Sequence, residues 1–321
     1  MRILLSLLAL STLHAAETFT GTLLPQKCRN DNPATHTRDC ALKCAETGLG
    51  IVLNGGEYAA FAQSSQDKAL EFLKSTAKKT DLRIRVTGKR ESKSIVIETI
   101  ELVDEPRKTT ILIFDGVQII DFTGPYEILT DTFTRGEPVF NVYTVAEEKR
   151  PIRTTGGMSL NPTYSFKDAP VPDILIIPGG SIPESNDVVA AWLKKTTPAT
   201  EITLTVCNGV FLLARAGLTK DLRLTTTGGN LARLKSIAPD AHIDADARVT
   251  DNGRIITSGG LSAGMDGARH LVERVAGRAT AQMVATFIEY NWQPTSDFKP
   301  GTLAYKHLAP AIFAVALPMR G

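Results

Sequence analysis

Short apolar runs alternate with helical stretches along the second two-thirds of the chain. Strands are predicted at 110–114, 139–145, 174–177, 202–206, 224–227 and 255–257. Helical spacing of apolar residues is found at 124–133, 187–197, 209–216, 229–237 and 264–277. Strands made of nearly unbroken apolar runs are typical of sheets buried on both faces. The alternation therefore predicts a doubly wound, mostly parallel sheet with helices on both faces.

The residues before this region have a different, β-rich pattern. The predicted elements are a strand near 19–24, a hairpin within 51–61, a helix at 68–77 and strands at 82–86 and 95–100. This order suits a small, partly closed barrel that is similar in outline to the oligonucleotide/oligosaccharide-binding (OB) fold, and we interpret it as an accessory or docking module. The sequence thus predicts a small OB-like domain at 17–103, a polar linker at 104–110 and a flavodoxin-like α/β domain at 111–295.

The two ends of the chain differ in composition from both predicted domains. Residues 1–16 combine a basic start, a short apolar core and small residues, which predicts a secretory signal peptide and a secreted protein, periplasmic in a cell with two membranes. The apolar tail at 296–321 is predicted to pack on the body or on a second subunit. The apolar core of residues 1–16 and the apolar run 301–318 of the tail are both shorter than the roughly 20 residues of a membrane-spanning helix, so no membrane span is expected.

The charge balance argues against a nucleic-acid partner. The 321 residues carry a formal net charge of only +2, and basic residues are not interleaved with aromatic ones in a stripe. We expect a small-molecule substrate or ligand instead, and no motif in the chain calls for a cofactor.

A single cysteine lies where the apolar strand 202–206 gives way to a helical stretch. Cys207 is therefore predicted to lie on a strand-to-helix turn. The first backbone N–H groups of a helix are unpaired and favour negative charge, so this position predicts a thiolate nucleophile. The alternative is a buried cysteine that acts as a small apolar side chain.

Two further segments are predicted to reach the same edge of the sheet. Asp121 and Thr123 lie where the chain leaves its first strand and enters a helix, and Pro178-Gly179-Gly180 ends a buried strand. Ligands of doubly wound sheets bind beyond the carboxyl ends of the strands, and bare backbone N–H groups there can stabilise developing charge. None of the five histidines is placed as a catalytic base, and His270 is predicted to be a packing or capping residue.

Together these motifs resemble the ThiJ/PfpI superfamily, which has the class I glutamine amidotransferase-like fold. The resemblance runs from about Thr109 to Pro294 and rests on the segments 111–117, 121–127, 156–162, 172–180, 205–209 and 257–266. Asp121-Phe-Thr-Gly-Pro is similar to the branch that contains isonitrile hydratase and the sensor halves of AraC-type regulators.

The resemblance implies a role for each matching residue. Cys207 is the expected nucleophile and Asp121 the acidic partner, with Thr123 positioned to hydrogen-bond Asp121 or substrate. Gly180 and Asn208 would supply backbone N–H donors that face the reacting carbon. The implied activity is thiolate attack on a small electrophilic carbon followed by Asp-assisted protonation and hydration. The alternative is a ligand- or oxidant-sensing module that uses the same cysteine, and a homodimer is implied for either.

Three positions depart from the patterns of the resembling proteins. Asn208 replaces the histidine of PfpI-type peptidases, which disfavours their protease chemistry, and the threonine common in isonitrile hydratase. Thr227 and Gly228 replace the histidine and tryptophan of the regulator-like branch, which predicts a smaller, less aromatic pocket.

The other three cysteines lie close together in the first predicted domain. An oxidising compartment favours a disulfide, and the spacing favours a bridge from Cys28 to either Cys40 or Cys44. The alternative is a metal site formed by these three cysteines and His36, because thiolates and imidazole suit zinc. The spacing matches no common zinc module, so the sequence alone assigns no metal ligand.

Overall fold

A computed structural model describes residues 16–31, 33, 36–54, 56–103, 105–134, 136–182 and 187–291. The predicted signal peptide, apart from Ala16, and the predicted tail at 296–321 lie outside the described residues. The chain divides into two compact units, of which the first runs to Leu53 and includes Tyr58–Val103. The second consists of Asn54–Glu57 and the chain from Asp104 onward.

The first unit is a closed β-barrel with two helices. Its elements are β1 (Glu17–Pro25), α1 (Arg38–Lys43), β2 (Leu49–Leu53), β3 (Tyr58–Phe61), α2 (Gln66–Ser75), β4 (Arg83–Glu91) and β5 (Ser94–Leu102). In the described residues the strands follow one another in the order β1-β2-β3-β5-β4, and β4 pairs back with β1. Leu23, Ile51 and Ile84 are fully buried in its core. The predicted β-rich part is present, and its barrel is closed where the sequence predicted a partly closed one.

In the described residues the second unit combines a main sheet of seven strands with three two-stranded sheets. Its strands are β6 (Arg107–Leu112), β7 (Phe133–Thr134), β8 (Glu137–Pro138), β9 (Phe140–Ala146), β10 (Ile152–Arg153), β11 (Ser159–Leu160), β12 (Tyr164–Ser165), β13 (Ile174–Ile177), β14 (Ile202–Val206), β15 (Arg223–Leu224), β16 (His242–Ile243), β17 (Val249–Asp251) and β18 (Ile255–Ser258). Its helices are α3 (Ile119–Thr130), α4 (Asp187–Thr196), α5 (Val210–Arg215), α6 (Leu231–Ile237), α7 (Ser262–Ala276) and α8 (Arg278–Phe287).

The order of the strands confirms the predicted doubly wound sheet. Among the described residues the main sheet has the order β12-β9-β6-β13-β14-β18-β17, and every neighbouring pair except β17 with β18 is parallel. Taken in chain order, the five longest parallel strands lie as 2-1-3-4-5, which is the flavodoxin-like arrangement. The chain reverses direction across the sheet between β6 and β13, and ligands of such folds bind at that switch point.

Apolar side chains are buried on both faces of this sheet, which explains the unbroken apolar strands. Ile174 and Ile176 belong to the core shared with Phe122 of α3 and Leu271 of α7. Leu175 and Ile177 point to the other face, where one core includes side chains of α4 and α5. Successive strand residues alternate between faces, so a strand with helices on both sides has no solvent-exposed position.

The predicted linker and the predicted start of the first helix differ from the structure. β6 begins at Arg107, so the second half of the predicted linker is sheet. The Arg107 side chain is 5% exposed, and its Nε lies 3.0 Å from Glu201 Oε2, so a polar residue there is a buried ion-pair partner. α3 begins at Ile119, five residues before the predicted start, and includes Gly124 and Pro125 as buried residues.

The predicted strand at 224–227 is also different from the structure. The strand in this region comprises Arg223 and Leu224, which pair with β16 outside the main sheet. Thr225 and Thr226 make other contacts, because the Thr225 N–H donates to Thr257 Oγ1 and Thr226 Oγ1 donates to the Cys207 carbonyl. In the part of the chain that the structure describes, no helix combines the length and apolar character needed to cross a membrane.

Candidate active site

Cys207 lies immediately after β14 in a strained backbone conformation. Its φ angle is +59°, in the left-handed region that a residue with a Cβ atom rarely adopts. A short 3₁₀ turn, Cys207–Gly209, then leads into α5. The strained residue is held on both sides, since its N–H donates to the Gly259 carbonyl over 3.2 Å and its carbonyl accepts from Thr226 Oγ1 over 2.7 Å. The turn therefore presents the sulfur in a fixed direction at the carboxyl edge of the sheet.

Two glycines allow the backbone to approach this cysteine closely. A Cβ atom at Gly260 would lie 2.9 Å from Cys207 Sγ and 2.2 Å from Thr227 Cγ2. A Cβ atom at Gly179 would lie 2.8 Å from Cys207 Cβ and 2.9 Å from Asp121 Oδ2. No side chain larger than hydrogen fits at either position without displacing its neighbours. The sulfur is thus surrounded by main chain from the loops that follow β13 and β18.

Asp121 is the acidic neighbour of the thiol. It lies in the first turn of α3 and is fully buried. Its Oδ1 accepts the Leu261 N–H over 2.9 Å. Leu261 itself has a φ of +57°, so a second strained residue directs this donor. The Cys207 side chain and the Gly179 N–H lie against the carboxylate, while Oδ2 meets no hydrogen-bond criterion among the described residues.

The electrostatics of the pair correct the prediction of an ionised sulfur. Burial and then the charge of Asp121 raise the pKa of the Cys207 thiol to about 12, against a smaller opposing effect of the Asn208 backbone N–H. Burial also raises the pKa of Asp121 above its ordinary value. Neighbouring acidic groups in a poorly solvated site disfavour a second negative charge, and a pKa of about 12 keeps the partly buried Cys207 thiol protonated at neutral pH. The helix start is outweighed because burial and the charge of Asp121 affect the pKa of Cys207 more than the Asn208 backbone N–H does.

Thr227 lies beside the sulfur on its other side. Its Oγ1 is 4.0 Å from Cys207 Sγ and accepts a hydrogen bond from Asn230 Nδ2 over 2.8 Å. In this contact the Cys207 thiol donates to Thr227 Oγ1. This contact favours the thiolate, as does the backbone N–H of Asn208. The site therefore contains two groups that stabilise a negative sulfur and one carboxylate that opposes it.

The Asn208 side chain fixes the loop that follows β13. Its Oδ1 accepts the Gly180 N–H and its Nδ2 donates to the Gly180 carbonyl, each over 2.8 Å. The predicted role of Gly180 as an N–H donor to substrate needs correction, because that N–H is already bound to Asn208. The predicted donor role of the Asn208 backbone N–H stays a prediction, and this N–H is directed at sulfur.

Thr123 makes a local contact on its own helix. Its Oγ1 donates to the Ile119 carbonyl over 2.9 Å, so its hydroxyl hydrogen is not directed at Asp121 as predicted.

His270 contacts Asp251, with Nε2 2.8 Å from Oδ2, and Arg274 shares the same carboxylate oxygen. Sequence reasoning missed Leu261 and Asn230. The Gly259-Gly260 pair was the available signal for the loop that carries Leu261.

These features define a class of protein: an α/β fold with a flavodoxin-like sheet and a strained cysteine that follows a central strand beside a buried carboxylate. The DJ-1/PfpI family matches residues 107–274. The chain belongs to this family.

Individual relatives include an enzyme and regulators. The chain is 32% identical to isonitrile hydratase of Pseudomonas putida over 190 residues, which are 58% of this chain and 79% of that protein. It is 24% identical to the HTH-type transcriptional regulator GbdR of Pseudomonas aeruginosa, covering 58% of this chain and 51% of the regulator.

Solved structures show the same fold. A ThiJ/PfpI family protein from Pseudomonas syringae has a TM-score of 0.52 and 23% identity, covering 60% of this chain and 78% of that one. An AraC family transcriptional regulator from Pseudomonas putida has a TM-score of 0.52 and 20% identity, covering 57% of this chain and all of that one. At these identities the likeness concerns the fold alone.

The raised pKa of Cys207 leads to a test by alkylation. Replacing Asp121 by Asn removes the charge that opposes the thiolate, so the thiol pKa falls and iodoacetamide modifies Cys207 faster at pH 8 than in the unchanged protein. Peptide-level mass spectrometry follows Cys207 separately from the other cysteines. Asp67→Asn, an exposed position on α2, is the control and leaves the rate unchanged. A slower reaction in Asp121→Asn would mean that Asp121 carries the proton and stabilises the thiolate.

Proposed function

We propose that this protein is a cysteine-dependent enzyme that hydrates a small molecule with an electrophilic carbon, in the manner of isonitrile hydratase. The observation that carries the proposal is the buried contact between Asp121 and the Cys207 thiol. A base whose pKa is raised toward neutrality, beside a nucleophile that still holds its proton, is suited to coupled attack and proton transfer. The 32% identity with isonitrile hydratase supports this choice of substrate class.

The first step forms a covalent intermediate. As the Cys207 sulfur bonds to the terminal carbon of R–N≡C, its proton passes to the Asp121 carboxylate. Asp121 then delivers this proton to the same carbon, which gives the thioimidate R–N=CH–S–Cys207. The Thr227 hydroxyl and the Asn208 backbone N–H stabilise the negative charge that develops on sulfur before the bond is complete.

The second step adds water and releases the enzyme. Asp121, ionised again, takes a proton from water as the water oxygen attacks the thioimidate carbon, and it passes this proton to the substrate nitrogen. The result is the tetrahedral intermediate R–NH–CH(OH)–S–Cys207. The carbon–sulfur bond then breaks as the hydroxyl of the intermediate becomes the carbonyl, and its proton passes by way of Asp121 to the departing sulfur. The products are the N-substituted formamide R–NH–CHO and the free thiol, so atoms and charge balance over the cycle.

Turnover of isonitriles tests the proposal directly. We expect the purified protein to convert alkyl or aryl isonitriles to formamides. Chromatography of the product measures this conversion. Cys207→Ala removes the nucleophile and Asp121→Asn removes the base, so each lowers kcat/KM by about 10³-fold or more. The exposed Asp67→Asn serves as the matched control and retains full activity.

One alternative is favoured by the regulator relatives. In it, Cys207 is modified by a ligand or oxidant and nothing is turned over, which fits the fold shared with an AraC family regulator. Stoichiometric modification of Cys207 with no formamide formed from any isonitrile would contradict the enzyme proposal and favour the sensor.

The activity should depend on pH through Asp121. The carboxylate must be ionised to accept the thiol proton, and burial raises its pKa. Activity is therefore lost on acidification at a higher pH than an exposed aspartate would dictate. A profile of kcat/KM between pH 4 and 9 measures this loss of activity at acidic pH. An activity that stays constant down to the ordinary pKa of aspartate, about 4, would exclude Asp121 as the base.

We also infer that the protein acts outside the cytoplasm as a homodimer. The support for export is the pattern of residues 1–16 alone. Intact-mass analysis of protein recovered from the periplasm is expected to give a chain that lacks this segment, and recovery of uncleaved chain from the cytoplasm alone would contradict export.

The homodimer rests on the family resemblance, and sedimentation of a single-chain species would contradict it.

A further inference from the structure

Three sulfur atoms and one imidazole come together in the first unit, away from the residues used in the proposed reaction. The Cys28 and Cys40 sulfurs and a ring nitrogen of His36 all lie within 4.8 Å of one another. The Cys44 thiol contacts the Cys28 thiol. All four cysteines of the chain are free thiols, so the predicted disulfide from Cys28 is not formed in this structure.

The secondary structure explains how these residues meet. Cys28 ends a 3₁₀ turn that follows β1. Cys40 lies in α1, and Cys44 is the residue that ends the same helix. Residues four apart in a helix lie on the same face, so both sulfurs project from one side of α1. The Cys40 N–H donates to Thr37 Oγ1 over 3.1 Å, which caps the start of this helix beside His36.

The burial of the His36 ring, without a hydrogen-bond partner in the described part of the chain, is a second and independent observation that points to a ligand at this cluster. Its side chain is only 4% exposed, yet neither ring nitrogen has a hydrogen-bond partner among the described residues. The carboxylate of Asp31 is 3.8 Å from Nε2 and is itself 57% exposed, so it does not satisfy the ring. A buried imidazole without a partner costs free energy that a hydrogen bond or a metal would recover. The buried ring therefore points to a missing ligand at the thiol cluster.

We propose that Cys28, His36, Cys40 and Cys44 bind one zinc ion. Three thiolates and one imidazole are a donor set that zinc takes in closed, tetrahedral structural sites. The ion would tie the turn after β1 to α1, ahead of β2, and each thiol would release its proton on binding. Because these four ligands fill the coordination shell, the site is structural and takes no part in the chemistry at Cys207.

The experiment uses the whole chain, purified with its thiols reduced. We expect one zinc per chain after dialysis, and Co²⁺ in place of zinc should give the visible bands of a tetrahedral site with thiolate-to-cobalt charge transfer. Cys207→Ala is the matched cysteine control and retains the full stoichiometry. His36→Ala should weaken metal binding by at least about 10- to 100-fold, the range produced by loss of even an outer partner of a ligand.

Measurements on the unchanged protein test zinc binding even where a ligand variant fails to fold. No retained zinc and no cobalt charge-transfer band, with all four thiols reduced by intact mass, would overturn the proposal. A native mass lower by two hydrogens, with the bridge mapped to Cys28 and Cys40 or Cys44, would replace the metal site by the disulfide. Loss of zinc in Cys44→Ser, with the barrel intact by circular dichroism, would support the four-ligand set. These readouts do not depend on whether isonitriles are turned over.

Discussion

The candidate active site depends on one constraint: a fully buried carboxylate and a partly buried thiol share a space in which a second negative charge is unfavourable. Asp121 is fully buried and contacts the Cys207 side chain, and burial raises the pKa of both groups. Ionising both would place like charges together in a medium that solvates neither well. The proton between them is therefore the movable element of the site, and a substrate that accepts electrons from sulfur draws it toward the carboxylate.

This arrangement is held by strained main chain. Cys207 and Leu261 both adopt positive φ angles, at a cost of the order of 1–3 kcal/mol each. Each strained residue also makes a specific contact, since Leu261 donates its N–H to Asp121 and Cys207 is bonded through both its N–H and its carbonyl. The glycines at 179 and 260 then allow the loops to close on the sulfur. The strain stays because relieving it would leave buried polar groups without partners.

The sequence predicted the sheet well and the charge state of its key residue poorly, for a physical reason. Apolar strands such as 174–177 can be predicted because a sheet buried on both faces requires an unbroken apolar run, and that run is visible in the residues themselves. The start of α3 was misplaced because Gly124 and Pro125 usually mark a boundary, whereas here they lie within the helix. The pKa of Cys207 was misjudged because it depends on Asp121, 86 positions earlier in the chain. Likewise, no pattern in the sequence shows that Asn208 already occupies the N–H of Gly180.

The cysteines of this chain lie in two environments. The two differ in the number of side chains nearby that could ligate a metal ion. Around Cys28, two further thiols and an imidazole provide four donors, which is enough to enclose a cation. Cys207 has one carboxylate beside it, and within the described residues neither Cys207 nor Asp121 belongs to a group of three side chains that could hold a metal ion. A soft cation held by sulfur and one carboxylate would keep most of its coordination shell open and bind weakly. Cys207, the proposed nucleophile, is therefore expected to stay uncoordinated under conditions that fill the proposed zinc site.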